Sequence, residues 1–543
     1  MCFLNYIEQE RIMNMNIKIA RLKKDIAQYN RLVIYGAGDL AKKTNNELIE
    51  RGIFAEYCVV SSKNENTNRF ENMPLYSFSE RIKDMQKSGV ITLIAVTELY
   101  EKEIEQMLIQ NGVKKYLFIT EYLRKTISFE EYKNKTEQEY LIDIAEWCVD
   151  AHNVSLHDIG FFHKKLEYII EKGNVFENKI VFAVGNLSPR VIKIADALQK
   201  KGYKIEILFY PNVWRNENFC ENLVKKSDEH CFCETIEELM YRIITSYAKI
   251  VHLFSYIGVS YIARILIRQK KLFPKLVFEQ YDIANEMYIE ACYTQNDFED
   301  ERYCLEHADG LCCRGYEQEY LMKVMQYIVR GKVIKFFDYC QNFAFGKRAK
   351  SMEKPLSLCY VGGIATEREC ADASYACFLE FAEMCEKNKC HFHVYPSSWD
   401  EYRFADYIEL DSRSEYFHLH KPVSYEKLCM EISQYDYGVH PIRRDFNEKD
   451  INGHYTKNKL IYTATNHFFD YLDAGLPIIS AVPVKFIKYF EEEGVLLRWT
   501  MEECNFEELM RRRDELRDNV VVAQRKMCIN KKIDDLIEFY NLL

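Results

Sequence analysis

Residues 466–480 read NHFFDYLDAGLPIIS, and few folds accommodate such a stretch. Phe468, Phe469, Leu472 and Ala474 give an apolar face at helical spacing. Gly475 stands where a helix ends in a left-handed turn, and Leu476, Pro477, Ile478 and Ile479 then start a strand that is apolar on both sides. Such a strand belongs to a parallel sheet with helices on each face. The same alternation of apolar strand, glycine turn and amphipathic helix recurs along most of the chain, which implies parallel crossovers and an α/β class. In open α/β sheets ligands bind outside the carboxyl ends of the strands, so Asp470 and Asp473 are expected near a ligand-facing crevice. Phe469 and Leu472 are expected to carry the packing, with Asp470 on an exposed face of the helix.

The stretch resembles the donor-binding helix of GT-B glycosyltransferases of the family-4 type (glycosyl transferases group 1), whose pattern is roughly Asn-Lys-x-Phe-Glu-Tyr-Leu-Ala-Ala-Gly-x-Pro-Val. The resemblance puts Asp470 in the place of the Glu that holds the nucleotide ribose. His467 departs from the family's Lys and Asp473 from its Ala. Many members carry a second Glu eight positions earlier, against the transferred sugar; here that position is Tyr462.

Composition narrows the partners. At 543 residues the chain exceeds one ordinary core and suggests three or four units. A formal net charge of −10 argues against a general nucleic-acid binder, which needs a basic surface over the phosphates. Nineteen cysteines without a regular framework fit reduced, buried thiols. The opening MCFLNYIEQERI carries acids and too short an apolar core for a signal peptide, and no run approaches the ~18 apolar residues of a membrane span. A cytoplasmic protein is expected, with peripheral contact at the inner membrane face as an alternative.

Residues 16–30 have the spacing of a short amphipathic helix, with Ile19, Leu22 and Ile26 opposite Lys18, Arg21 and Lys24. It either packs on the next domain or lies on an anionic membrane surface. RLVIYGAGDLAKKTNNELIERG then reads as strand, glycine turn and helix, with Gly36 and Gly38 exposing amides suited to a phosphate. Ser61 and Ser62 stand where an NAD-binding domain would place an acid at the end of the second strand. This domain, residues 1–125, is similar to the Rossmann-like domains found ahead of sugar acyltransferases and appended to some glycosyltransferases. A bound ligand and a purely structural role both remain open for it.

Residues 126–178 read as a helical connector; His152, His157 and His163 lie along it without sharing a helical face. From Lys179, strand KIVFAV, loop GNLSPR and helix VIKIADALQKKG open a second α/β lobe, residues 179–345. Ser188 suits the helix N-cap, Pro189 the first helical position, and Gly185 a close ligand approach. The loop resembles the glycine-rich loop that opens GT-B chains, which implies that Gly185 and Arg190 lie near the diphosphate. LVFEQYDIAN resembles the family's strand ending in His or Asp at the cleft; Tyr281 takes the histidine's place and Asp282 follows, either to orient an acceptor hydroxyl or to cap the next turn. Arg264, Arg268, Lys270, Lys271 and Lys275 form a solvated face or a membrane-facing patch.

A hinge is expected over residues 340–355, then a donor lobe at residues 346–543. Its strand LSLCYVGG ends in Gly362 and Gly363, whose amides can approach the donor phosphates. The family's basic residue after this turn is missing, so Arg368 is expected to supply the charge, or else Arg443, Arg444, Lys457 or Lys459. A closing C-terminal helix is expected over residues 519–543.

Metal chemistry is not expected. His391-Phe-His393, His418-Leu-His420 and Cys231-Phe-Cys233 alternate along strands without a second pair at zinc spacing, and no Asp-x-Asp pair stands ready for Mn²⁺ or Mg²⁺. The resemblance implies a retaining, metal-independent transfer with no cofactor beyond the nucleotide-diphosphate sugar. The acceptor would be a glycan, a lipid-linked molecule or a protein. A non-catalytic nucleotide-sugar-binding scaffold is the alternative, favoured by Tyr281, Tyr462 and Gly363. An NAD-dependent oxidoreductase is disfavoured by Ser61 and Ser62 and by the absence of a nearby Tyr-x-x-x-Lys pair.

Overall fold

A computed structural model describes residues 16–17, 22, 25–50, 52–62, 68–96, 98–124, 135–152, 158–173, 175–185, 188–211, 229–255, 259–281, 283, 295–341, 355–364, 377–397, 399, 401, 404–440, 461–462, 464–480, 485–499 and 505–543. The chain divides into two compact units, Met1–Glu167 and Tyr168–Leu543.

In unit 1 the strands are β1 (Arg31–Tyr35), β2 (Tyr57–Val60), β3 (Arg69–Phe70), β4 (Met73–Ser77), β5 (Val90–Ile94) and β6 (Tyr116–Phe118), in the order β3-β4-β2-β1-β5-β6. All neighbours are parallel except β3 with β4. The chain crosses from one side of β1 to the other between β4 and β5, so the switch point lies between β1 and β5. Gly36 follows β1 there at φ +120°, and a Cβ on it would lie 2.6 Å from the Ala95 carbonyl oxygen. α1 (Asp39–Glu50) comes next. The helix expected over residues 16–30 is corrected at its start. Asn16–Ile17 is a strand paired antiparallel with Leu123–Arg124, while Leu22 and Ile26 do join the core of unit 1. α2 (Glu137–His152) and α3 (Ile159–Lys172) fill the stretch read as a connector, and Gly173 closes α3 at φ +48°.

Unit 2 holds two doubly wound parallel sheets. The first has β7 (Phe176–Val184), β8 (Lys204–Phe209), β9 (Glu229–Phe232), β10 (Ala248–Ser255), β11 (Lys275–Gln280), β12 (Gly310–Cys313) and β13 (Lys332–Lys335), in the order β9-β8-β7-β10-β11-β12-β13. The second has β14 (Ser357–Gly362), β15 (His391–Pro396), β16 (Phe417–Leu419), β17 (Tyr437–Val439), β18 (Ile478–Ser480) and β19 (Leu496–Arg498), in the order β16-β15-β14-β17-β18-β19. Counted within its own lobe, the second runs 3-2-1-4-5-6, the Rossmann order, and the first runs 3-2-1-4-5-6-7, the same order with one further edge strand, so unit 2 is a pair of Rossmann-like lobes of the GT-B kind. The strand centres are apolar on both faces because helices cover both, as in α4 (Pro189–Lys200), which buries Val191, Ile194, Ala195 and Leu198. One hydrophobic core runs from β7 and α4 through Phe336, Phe337, Tyr339 and Cys340 into Phe468, Phe469 and Leu472, so the lobes share packing at their base.

The single closing helix expected over residues 519–543 is corrected to two, α9 (Phe506–Lys526) and α10 (Ile529–Leu542). The physical reason is tertiary. Cys340, crossing between the lobes, donates to the Met527 carbonyl at 3.0 Å and accepts from the Ile529 amide at 2.8 Å, using groups that a continuous helix would pair internally.

On β15 and β16 the alternating histidines share one sheet face, with His393 opposite His418 in the register. His391 Nδ1 lies 3.0 Å from His418 Nε2, His393 Nδ1 lies 3.0 Å from His420 Nε2, and the His393 ring stacks on Tyr435. Burial, followed by the neighbouring imidazoles, pushes His393 down to about 2. An imidazole held below its unfolded value of about 6.5 takes its proton more readily in the unfolded chain. Its contribution to stability is therefore whole above that value and is lost as pH falls below it. For His393 the loss is about 1.4 kcal/mol at pH 5.5. We expect the urea midpoint to fall more steeply between pH 7.5 and 5.5 in the wild type than in His393→Phe, which keeps the stack. Equal slopes would show that water reaches these imidazoles in the folded state.

Candidate functional site

The carboxyl ends of the two sheets of unit 2 meet through one arginine. Arg314 follows β12, where a charged side chain after the buried run GLCC has to find a partner. It donates to Asp338 Oδ2 at 2.8 Å and to the Tyr281 carbonyl at 2.6 Å, and its guanidinium lies 4.0 Å from the Tyr281 ring centre. Across the junction it also donates to the Asn466 side-chain oxygen and, at 3.4 Å, to the Ala464 carbonyl. Asn466 Nδ2 donates in turn to the Tyr281 hydroxyl. Gly315 permits this approach: a Cβ there would stand 2.6 Å from the Ala464 amide nitrogen and 2.8 Å from the Tyr462 carbonyl oxygen.

Arg190, expected on the diphosphate, lies in the first turn of α4 in the first lobe. It is 3% exposed, donates to both Glu279 oxygens at 2.7 and 2.9 Å, and reaches Asp338 at 3.2 Å. Its charge is paired with two buried carboxylates of the first lobe. Burial alone would raise the Glu279 carboxyl; the Arg190 charge and bonds, with His252 Nε2 3.5 Å away, outweigh it and hold Glu279 well below the usual carboxylate range.

In the second lobe β14 ends at Gly362 with φ +132°. A Cβ there would lie 2.6 Å from His467 Nε2, so only glycine allows this turn against the helix that follows. Gly363 is exposed, and its carbonyl accepts from the Tyr360 hydroxyl at 2.8 Å. That helix, α8 (Asn466–Asp473), lies flat on the sheet. Tyr471 sits directly over Gly438 and donates to the Val439 carbonyl at 2.7 Å, while Gly475 ends the turn beyond the helix at φ +75°.

The expectation that Asp470 is exposed is corrected. It is 9% exposed and Asp473 is fully buried, because Lys193 of α4 and Tyr425 of α7 (Tyr425–Ile432) close over them. Lys193 Nζ lies 2.6 Å from Asp473 Oδ2 and 3.8 Å from Asp470 Oδ1. The Tyr425 hydroxyl stands 2.8 Å from Asp473 Oδ2 and 3.0 Å from Asp470 Oδ1, and the Gln341 amide donates to Asp473 Oδ1 at 2.6 Å. Asp473 is thus satisfied on both oxygens. Asp470 commits Oδ1 alone among the described residues. Burial pushes the Asp470 carboxyl up to about 6, against the pull of Lys193.

Gly185 follows β7 at the first lobe's switch point, where a Cβ would lie 2.8 Å from Val259 Cγ2. Asp282 and Arg368 lie outside the described residues, as do Arg443, Arg444, Lys457 and Lys459. In unit 1, taken by itself, Gly38 opens on free space and Ser61 Oγ lies 2.7 Å from the Tyr35 hydroxyl. Arg314, Glu279, Asp338, Lys193 and Tyr425 are the residues that sequence reasoning missed. The available signal was a charge inside or just after an apolar strand, as in LVFEQ, GLCCR and FFDYC.

Among the described residues His252, Glu279 and Cys312 are the one group whose ligand atoms converge as for a metal. Glu279 is already closed on Arg190, and the guanidinium stands 3.6 Å from Cys312 Sγ, so a cation would have to displace it. Of the basic residues around α5 (Ser260–Arg268), Arg264 is paired with Asp300 of α6 (Gln295–His307) at 2.6 Å and Lys270 lies 3.3 Å from Asp309. Among the described residues no helix is long and apolar enough to cross a membrane.

No family model and no curated protein matches the chain. Among solved structures it is similar to TarM, at 9% identity over 67% of this chain and 99% of that one, TM-score 0.45. It is also similar to a mutant O-GlcNAc transferase of Thermobaculum terrenum, at 11% identity over 74% and 78%, TM-score 0.41. A third is the S. aureus MnaA–UDP co-structure, at 11% identity over 67% and 98%, TM-score 0.41.

Proposed function

We propose that unit 2 is a glycosyltransferase that binds a nucleotide-diphosphate sugar between its lobes and moves the sugar to an acceptor hydroxyl. The observation that carries this reading is the meeting of the carboxyl ends of the two parallel sheets across Tyr281, Arg314 and Asn466, beside a positive-φ glycine turn and a carboxylate with one uncommitted oxygen. Asp470 Oδ2 would accept the ribose hydroxyls. The Gly362 and Gly363 amides, with Gly185 opposite, would meet the diphosphate. In the transfer the anomeric carbon gains a bond to the acceptor oxygen as its bond to the diphosphate oxygen breaks, and the acceptor's proton passes to the leaving diphosphate. Asp282 would orient the acceptor, and Arg368 would meet the charge growing on the leaving diphosphate. Retention of configuration and independence of divalent metal belong to the same reading. The acceptor would be a glycan, a lipid-linked molecule or a protein, and peripheral contact with a membrane would suit the second of these.

A second reading, a nucleotide-sugar-binding scaffold without turnover, is favoured by Tyr462. In the place of the family's sugar-facing Glu, its ring lies 5.3 Å from that of Tyr320 and 4.2 Å from Lys485 Nζ, a packing role. A thermal-shift screen with UDP-glucose, UDP-N-acetylglucosamine, GDP-mannose and TDP-glucose, followed by assay of nucleotide release, separates the readings. We expect at least one donor to raise the melting temperature and to be turned over in the presence of EDTA. Binding without release would favour the scaffold, EDTA-sensitive turnover restored by Mn²⁺ would remove the metal-free mechanism, and no shift with any donor would remove both readings.

A further inference from the structure

We propose that His467 is the side chain that meets the donor's diphosphate, and that it takes up a proton as the diphosphate arrives, so that donor affinity rises as pH falls. This rests on the donor reading of unit 2 and adds to it the identity and the charge state of one contact. The observation behind it is the fit between His467 and the turn at Gly362. The imidazole occupies the space that a side chain at residue 362 would need, with Nε2 2.6 Å and Cε1 3.0 Å from the missing Cβ. The glycine turn therefore has an imidazole beside it, in the place where the resemblance has a lysine.

The surroundings select His467 over its neighbour as the group that changes charge. His440, with its ring centre 6.1 Å away, is 4% exposed and has Nδ1 3.0 Å from Ser480 Oγ. Burial, with the nearby His467, holds His440 far below the usual imidazole range, so it stays neutral. His467 is only half-buried. Two imidazolium ions at that separation would repel, which leaves one charge for the pair and assigns it to the imidazole on the turn.

The other groups facing this position act differently. Tyr360, whose ring centre is 5.6 Å from that of His467, has its hydroxyl on the Gly363 carbonyl. Arg314 is engaged with the neighbouring Asn466 and with Asp338. α8 carries no acid in its first turn, and Thr465 makes no side-chain cap there. Asp470, one turn further on, titrates in the same range with the opposite sign, since its grip on a ribose weakens as it is protonated. The difference between wild type and a His467 variant, rather than the raw profile, isolates the imidazole.

The test is calorimetric titration of the full chain at pH 6.5 and 8.5 with whichever of the four nucleotide sugars gives the largest thermal shift. Their phosphates are diesters and do not titrate in this range. A protonated imidazole on a diphosphate is expected to tighten binding about tenfold. Relative to wild type, His467→Gln should bind about tenfold more weakly at pH 6.5 and equally at pH 8.5, whereas His467→Lys should bind more tightly than wild type at pH 8.5. Parallel wild-type and His467→Gln profiles, or a His467→Lys no tighter than His467→Gln at pH 8.5, would overturn the proposal. If Asp470→Asn loses affinity while the His467 variants do not, this inference alone falls. If no nucleotide sugar binds at either pH, the donor reading falls with it.

Discussion

Arg190→Ala is expected to destabilise unit 2 by about 3–5 kcal/mol, the cost of breaking a buried charge pair from one side. Glu279 would lose both of its guanidinium bonds at 2% exposure, and Asp338 would keep, among the described residues, Arg314 alone. Lys200→Ala, on the exposed side of the same helix, should change stability by no more than about 0.5 kcal/mol, because its pair with Asp196 lies in solvent. Urea denaturation followed by the fluorescence of the four tryptophans, among them Trp499 buried in the second lobe, reads both variants. A normally stable Arg190→Ala that has lost nucleotide affinity would return Arg190 to the diphosphate, where the glycine-loop resemblance puts it.

The elements around this site were legible because their signals are local. Helical spacing and Gly475 mark α8 and its end within a few residues, and the apolar run after Pro477 marks β18. Gly362 and Gly36 were legible for a related reason, since a glycine closing an apolar strand usually serves a turn that other residues cannot make. The partners of the charges were not legible. Arg190 finds Glu279 at a separation of 89 residues and Asp338 at 148, and no periodicity carries that information. The same limit explains why Asp470 and Asp473 read as an exposed pair. Spacing shows that they share a side of the helix, but not that Lys193 and Tyr425 arrive from two other elements to cover it. The break at Met527 is a third case, because the residues there carry no helix stop and the interruption comes from Cys340.

The account stands on Asp470 as the acceptor of a donor ribose, and its burial makes the expected effects of Asp470 and Asp473 differ. Asp473 is the closer partner of Lys193 and is satisfied on both oxygens, so Asp473→Asn should lower stability and leave intrinsic affinity nearly unchanged. Asp470 stands farther from Lys193 and keeps one oxygen uncommitted among the described residues, so Asp470→Asn should fold with little loss. It should nevertheless lose the charge-assisted bonds to the ribose, typically about 1.5–3 kcal/mol, which is roughly 10- to 150-fold in affinity. The direct measurement is calorimetric titration of wild type and Asp470→Asn at pH 7.5 with the nucleotide sugar found in the screen, folding being checked by circular dichroism. The account predicts a dissociation constant at least tenfold weaker in a folded variant. Equal dissociation constants in two folded proteins would contradict it.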